Sequence, residues 1–315
     1  MLKFIGRRLL ILIPTLILLS FLVFSIIRLI PGDPALVLLG PQGTAESLEA
    51  LRDTLGLNKP IVPAYWDWIR GIFSGNWGNS LIDKKPVIDT IAERIPRTFA
   101  LCMYSIIFSI ILAIPLGIIA AVKNNKGADL GISVFAMLFI SIPGFWLGIL
   151  TLILFAVTWR ILPAGGYASI ATEGVREYAR HMILPVITLG ASLAAQTTRF
   201  LRSSMLEVMN EDYIMLARVK GCSTGRIMFV HALRNALGPI FSTISMQIAF
   251  LMGGGIVSEK VFSYPGVGLV LLEAVLERDY PLVQCGIMVF ATIVMVVYLI
   301  SDVLYAVIDP KIRYG

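Results

Sequence analysis

The sequence predicts an all-α polytopic membrane protein, and three observations carry that reading. Of 315 residues, 57% are hydrophobic, and the mean hydropathy is +0.84. Only 15% are charged, against roughly 25% in a soluble domain, and a soluble fold of this length could not bury so much apolar surface. Six apolar runs are each long enough to cross a hydrocarbon core of about 30 Å, which takes roughly 20 helical residues. They read as 9–30, 98–122, 131–158, 182–203, 237–257 and 283–306.

The first run begins with Lys3, Arg7 and Arg8, as a signal peptide would. Its apolar stretch from Leu9 to Ile27 is long, however, and no A-x-A cleavage pattern follows. Residues 1–30 are therefore expected to be a retained first helix, with Arg28 reaching back to the interface.

Residues 31–97 read as a folded external loop. Thr44 can cap a short helix with Glu46 in its first turn and Gly56 just past its end. Asn58 and Pro60 can start a second helix through YWDWIRGIF, and Pro86 can open a third. Tyr65, Trp66, Trp68, Phe73 and Trp77 gather here. They suit an aromatic belt at the membrane surface, or a docking surface for an external partner.

Residues 98–306 hold the remaining five spans, a cytoplasmic hairpin at 203–236 and an external loop at 258–282. Gly253, Gly254 and Gly255 end or loosen the fifth span, either for close helix packing or as a hinge. The external loop carries EKVFSYPGVGLVLLEAVLERDYP at 259–281, with a turn at Pro265, Gly266 and Gly268, an amphipathic stretch and Pro281. Its apolar content suits interfacial packing, a dip toward the membrane, or a plug over a cavity mouth. Residues 307–315 form the tail.

Charge sets the orientation. With the N-terminus inside, the inner segments hold 13 Lys and Arg and the outer short loops hold 5. That bias places both termini in the cytoplasm. The formal net charge of +6 is scattered at the ends of apolar runs, which fits a bilayer and not a nucleic acid.

Much chemistry is missing from the sequence. There is no G-x-x-x-x-G-K-[ST] phosphate loop, no H-E-x-x-H metal motif and no G-x-S-x-G nucleophile elbow. His181 and His231 are 50 residues apart; the first reads as interfacial, the second as a helix-surface residue. Cys102, Cys222 and Cys285 form no C-x-x-C pair, so neither a disulfide nor a metal site is expected. Gln196 and Gln247 are the deep polar groups of the spans, able to bond across helices or to line a pathway. Asp302 sits near the inner end of the sixth span. So few buried charges argue against an ion-coupled secondary transporter, which stays as a rival beside a non-transport scaffold.

The stretch EDYIMLARVKGCSTGRIMFVHALRNAL at 211–237 is charged, yet lies between apolar runs. Leu206, Met209, Tyr213 and Leu216 or Ala217 follow helical spacing on one face, with Glu207, Asn210, Glu211 and Arg218 off it. Gly221 permits a left-handed exit, and Ser223 or Thr224 can cap the next helix. The result is a helical knob in the cytoplasm, fit for a groove on a soluble partner or a plain connector.

D-Y-I-x-x-A-R-x-K-G at 212–221, followed by H-A-L-R-N-A-L-x-P at 231–239, resembles the coupling motif of ABC-importer permeases in its peptide/nickel form. The general motif begins E-A-A; here those first positions are Met215 and Leu216, and only Ala217 and Gly221 match. The likeness extends through L-I-P-G-D-P-A at 29–35, L-G-L-N-K-P at 55–60, G-N-W-G-N-S at 75–80, S-I-P-G-F-W-L-G at 141–148, R-S-S-M-L-E-V at 202–208, P-G-V-G at 265–268, R-D-Y-P-x-x-Q at 278–284 and D-P-K-I-R-Y-G at 309–315. Any one is weak; their order and number identify the chain as similar to the "B"-type permease of dipeptide, oligopeptide, glutathione or nickel importers.

The resemblance implies a type I ABC importer permease fold in a bacterial inner membrane. It implies a homologous second permease as partner in a heterodimer, two ATPase subunits and an external substrate-binding protein. ATPase contact is carried over onto Asp212, Tyr213, Ala217, Arg218, Lys220 and Gly221. Gln196 and Gln247 are candidates for the substrate pathway, and Glu259, Tyr264, Pro265, Gly266 and Asp279 for the external gate or docking surface. No catalytic residue, metal or cofactor is expected in this chain, since ATP and Mg belong to the ATPase subunits. Di- or oligopeptide cargo is favoured over a nickel complex because imidazole, which serves Ni²⁺ well, is scarce.

Overall fold

The computed structural model describes residues 2–29, 33–39 and 44–308. The D-P-K-I-R-Y-G tail and residues 30–32 of the first motif lie outside the described residues. Apart from one isolated bridge between Asn79 and Pro86, the regular structure among the described residues is helical. In chain order it runs α1 (Leu2–Leu29), α2 (Pro34–Leu39), α3 (Ala45–Thr54), α4 (Ile61–Phe73), α5 (Val87–Val122), α6 (Gly127–Ser141) and α7 (Gly144–Leu152). A π-helical stretch, Ile153–Thr158, follows, then α8 (Ile170–Met209), α9 (Asp212–Val219) and α10 (Thr224–Arg226). A second π-helical stretch, Ile227–Ala232, leads into α11 (Leu233–Gly254), α12 (Ile256–Val261), α13 (Val267–Glu277) and α14 (Tyr280–Ile308).

The chain divides into two compact units. One comprises Leu2–Ile95 and Val270–Met295; the other comprises Pro96–Leu269 and, of the described residues, 296–308.

In the first unit the predicted caps form. Thr44 accepts from Ser47 N at 3.2 Å and starts α3, and Gly56 leaves it at φ +66°. Pro60 precedes α4. The aromatic group splits in two. Tyr65 is buried on α1, where its hydroxyl meets Ser20 Oγ at 2.7 Å, and Phe24 packs against both Tyr65 and Trp68. Trp66 and Phe73 stay exposed. Lys59 and Asp67 pair at 2.6 Å across the start of α4, and each holds the other in its charged form, raising the Lys59 pKa and lowering that of Asp67. A second cluster joins Val87 and Ile91 of α5 to Val270 and Ala274 of α13 and Leu282 and Cys285 of α14.

The third outer helix expected at Pro86 and the second span are one helix, α5, despite Pro96 and Pro115 inside it. A proline removes one backbone hydrogen bond, but breaking a helix in apolar surroundings would strand several.

In the second unit α8 is the hub, packed by α6, α7, α11 and α12. Gly190 of α8 lies so close to α5 that an added Cβ would stand 2.6 Å from Phe108 Cδ1 and 2.8 Å from Ser105 O. Asp129 at the start of α6 receives Arg202 of α8 at 2.5 and 2.7 Å. Asn125 N also donates to it at 2.8 Å.

The run predicted at 131–158 is broken. Its two halves, Gly127–Ser141 and Gly144–Thr158, meet at 98°. Pro143 explains the break, because it pushes Ile142 into extended backbone (φ −76°, ψ 123°). The run at 237–257 also turns, by 53° between Thr224–Gly238 and Thr243–Gly253, with Pro239 in the interval. Among the described residues, Val87–Val122 and Tyr280–Val303 alone pass as unbroken helices long and apolar enough to cross a membrane, or four segments do if each bent pair is one span. Leu10–Ile26 is a shorter apolar segment.

Candidate functional site

The hairpin is built from the inner end of α8 outward. α8 stops at Asn210, so the single helical face expected over 206–217 is interrupted. α9 restarts at Asp212, whose charge in the first turn suits the helix dipole, as Arg218 does in the last. The residue α9 buries is Ile214, at 0% exposure, whereas Tyr213 and Leu216, which share a face by helical spacing, are exposed. Ala217 is half-buried.

Gly221 then turns the chain at φ +79°, with nothing within 4 Å of where a Cβ would stand. An L-residue pays roughly 1 kcal/mol or more for that backbone. Ser223 caps the return, accepting from Arg226 N at 3.4 Å. α9 packs along the π-helical stretch Ile227–Ala232, and Asn235 Nδ2 of α11 donates to Tyr213 Oη at 2.9 Å.

The root of the hairpin is dry. Met228, Ala232, Ala236 and Ile240 form a core with Ala121 of α5 and Leu201 and Met205 of α8. Its tip is the reverse. Met215, Leu216, Val219, Phe229 and Val230 are exposed apolar side chains, ringed by the exposed Asp212, Arg218, Lys220 and Arg226. The hairpin thus joins a buried root to a tip of exposed apolar and charged side chains. Of the six residues singled out, Asp212, Tyr213, Arg218, Lys220 and Gly221 lie on the exposed surface and Ala217 beneath it. Of the apolar tip residues, helical spacing picks out only Leu216; Val219, Phe229 and Val230 carry no signal in that pattern.

The two glutamines separate. Gln247 of α11 is 5% exposed and spent on α8: its Nε2 donates to Thr197 Oγ1 at 3.0 Å and to Leu193 O at 3.4 Å. In this structure it cross-links α11 to α8. Gln196 is exposed on α8, on the face that also carries Arg199 and Ser203.

The outer candidates are mostly buried. Glu259 is 1% exposed and Tyr264 0%. The Glu259 carboxylate accepts from Thr98 Oγ1 and from Leu269 N, each at 2.8 Å, while Val267 N donates to the same Thr98 oxygen at 2.8 Å. Gly266 lies over this carboxylate so closely that a Cβ would stand 2.0 Å from Oε1. Tyr264 fills a core with Leu101 and Met182, and its hydroxyl donates to Arg97 O at 2.9 Å. Pro265 is half-buried between them. In the other unit Asp279, 1% exposed, accepts from Ser80 Oγ at 2.5 Å and from Leu81 N at 3.1 Å. These side chains fix the turn P-G-V-G and the start of α14, and as docking contacts they are displaced by their burial.

Comparison with known proteins follows the same lines. Residues 113–314 match the model of the family described as binding-protein-dependent transport system inner membrane component. Residues 1–102 match that of its N-terminal membrane component. Over 314 residues the chain is 41% identical to the glutathione transport system permease protein GsiC of Escherichia coli (strain K12), covering 100% of both. It is 40% identical over 314 residues to the protein of that name in Shigella flexneri serotype 5b (strain 8401), again covering 100% of both. A chain of the MetNI methionine ABC transporter, solved in inward-facing conformations, superimposes with a TM-score of 0.60 at 16% identity, covering 71% of this chain and 98% of that one; at that identity it speaks for the fold alone. The chain belongs to the inner-membrane permeases of binding-protein-dependent transport systems, the transmembrane subunits of ABC importers.

Proposed function

We propose that this permease carries di- or oligopeptides inward by alternating access, as one half of a heterodimer with a homologous second permease. Two ATPase subunits, which hold the ATP and Mg, grip the hairpins of the two permeases, and an external binding protein delivers cargo. The observation that carries the reading is the hairpin itself: a tip of exposed apolar side chains on a root buried against α5 and α8. Closure of the ATPase dimer would move that root as a rigid piece, because packed interiors transmit displacement instead of absorbing it.

In this reading the chain makes six spans of a bacterial inner membrane, with both termini cytoplasmic, and the bent pairs count as single spans. Irregular backbone at that depth needs protein or water beside it, so the bend at Ile142–Pro143 would face a neighbour or the pathway. Gln196 is the pathway residue that keeps its amide free of the α8–α11 cross-link. The outer gate lies in the 258–282 segment, where Glu259 and Tyr264 hold the P-G-V-G turn.

Glutathione is the second reading for the cargo, favoured by the name of the 41%-identical relative. It is itself a small peptide, so both readings call for the same kind of site. The test is uptake of labelled dipeptide and labelled glutathione into vesicles holding both permeases and the ATPase subunits, with the binding protein on the substrate side. Gly221→Asp is expected to abolish uptake and ATPase stimulation while insertion stays normal, since Asp tolerates left-handed backbone but alters the grip. Normal uptake and stimulation would remove the idea.

A further inference from the structure

A groove of about 150 Å³ lies between α5, α6 and α8, within the unit that holds Pro96–Leu269. Phe108, Leu112 and Leu116 of α5 wall one side, and Ile132, Ala136 and Phe139 of α6 the other. Its floor is α8, with Ala191, Ala195 and Thr198. Each set recurs at helical spacing and so lies along one face of its helix. The groove therefore runs with the helix axes, over roughly 12 Å of rise from Phe108 to Leu116. Leu112 and Phe135 on its lips are exposed, so it opens sideways from the bundle.

Thr198 is the one polar side chain among the described residues that line the groove. It is 2% exposed, and its Oγ1 has no hydrogen-bond partner among the described residues. Leaving a buried hydroxyl unmatched is costly, and a water there would lack the further polar partners that hold buried water. The contacts of Asp129 with Arg202 and of Gly117 with Leu201 set the register of the three helices. Thr198 thus lies level with Leu116 and Ile132, at the end of the groove nearest the α5–α6 turn. Cations gather just beyond it. Residues 116–132 and 198–207 carry Lys123, Lys126, Arg199 and Arg202 against Asp129 and Glu207, a net of +2. Arg202 is held by Asp129, whereas Lys123, Lys126 and Arg199 are exposed. The hairpin farther on, 211–234, adds four basic residues to two acidic ones, so the excess is not cancelled there.

An apolar channel, a lone hydroxyl at its end and a cationic rim beyond follow one another along the helix axes. A phospholipid presents the matching series of acyl chain, ester carbonyl and phosphate. We propose that the groove holds one acyl chain of an anionic phospholipid, whose ester carbonyl accepts from Thr198 Oγ1 and whose phosphate lies toward Lys123 and Lys126. The inference goes beyond the importer reading and does not depend on the cargo; only the choice of leaflet, the cytoplasmic one, rests on that reading.

Photolabelling of the full-length permease in mixed detergent micelles tests it, without ATPase subunits or transport. The probe is phosphatidylglycerol with a diazirine on one acyl chain, and labelled peptides are located by mass spectrometry. Saturable label concentrated on residues 108–116, 132–139 and 187–198 is expected. Unlabelled phosphatidylglycerol should displace it at about tenfold lower mole fraction than phosphatidylcholine, because lysines near a membrane surface favour anionic lipid. The double variant Lys123→Gln, Lys126→Gln should erase that preference. Thr198→Val should raise the half-saturating probe fraction about fivefold, the worth of one hydrogen bond. Its thermal midpoint should not fall, since the hydroxyl it removes is unpartnered in the protein; that pairing separates a lost ligand contact from misfolding. Label spread evenly over the exposed apolar faces, equal displacement by phosphatidylcholine, displacement by oleate as readily as by phosphatidylglycerol, or indifference to Thr198→Val would each overturn the proposal. Loss of transport by Gly221→Asp leaves this binding intact, so the two ideas fail separately.

Discussion

At the scale of single residues, the most constrained contact is the one between Gly266 and Glu259. A methyl group at 266 would overlap the carboxylate, which must then abandon the hydroxyl of Thr98 or the amide of Leu269. Gly266→Ala is expected to lower stability by about 1–3 kcal/mol, the cost of leaving a buried polar group unsatisfied. Thermal unfolding in detergent would read this as a clear fall in midpoint; an unchanged midpoint would mean the turn relaxes freely. Tyr213→Phe removes the acceptor for Asn235 and should cost about 0.5–1.5 kcal/mol. Because that bond ties α9 to α11, uptake into vesicles should fall with the loss of stability. Sequence could not rank Gln196 against Gln247, since both sit in apolar runs. Only the direction each faces divides them. Glu259 was likewise legible as an outer carboxylate, but not as a buried one; Gly266 and Gly268 flanking a turn were the available sign that backbone closes over something.

At the scale of elements, the hairpin divides into a root and a tip that should answer mutation in opposite ways. Met205 is fully buried in the root and Met215 is 68% exposed on the tip. Met205→Ala is expected to cost about 2–5 kcal/mol through the cavity it leaves. Met215→Ala should stay within about 0.5 kcal/mol yet weaken ATPase attachment. Unfolding midpoints together with an ATPase binding titration separate the two, and equal destabilisation by both would mean the tip is packed in the free protein. Caps were readable in advance because their chemistry is local: Thr44, Ser223 and Gly56 do what their neighbours require. Helix breaks were not. Pro96, Pro115 and Pro185 ride inside helices, whereas Pro143 ends one at a sharp bend. The residue is the same; what differs is the residue before it, extended at Ile142 (φ −76°, ψ 123°) and helical before Pro96, Pro115 and Pro185.

At the scale of the whole molecule, composition announced a membrane protein, and the ordered series of short motifs pointed to the family to which the chain belongs. What composition could not give is how the apolar runs become helices: α8 begins before the run that nominated it, beyond a kink at Gly174 (φ 84°, ψ 167°), and α5 absorbs a helix expected to stand apart. The central claim is that energy enters through the hairpin from the cytoplasmic side. Cys222 offers a native probe of it. It lies in the turn with partial exposure, whereas Cys102 and Cys285 are buried and buried thiols react poorly. A membrane-impermeant maleimide, applied to sealed right-side-out and inside-out vesicles with and without bound ATPase subunits, would report on Cys222. Labelling of Cys222 in inside-out vesicles alone, and its protection by the ATPase subunits, is the expected result. Labelling from the outer face, or no protection by the ATPase, would contradict the account.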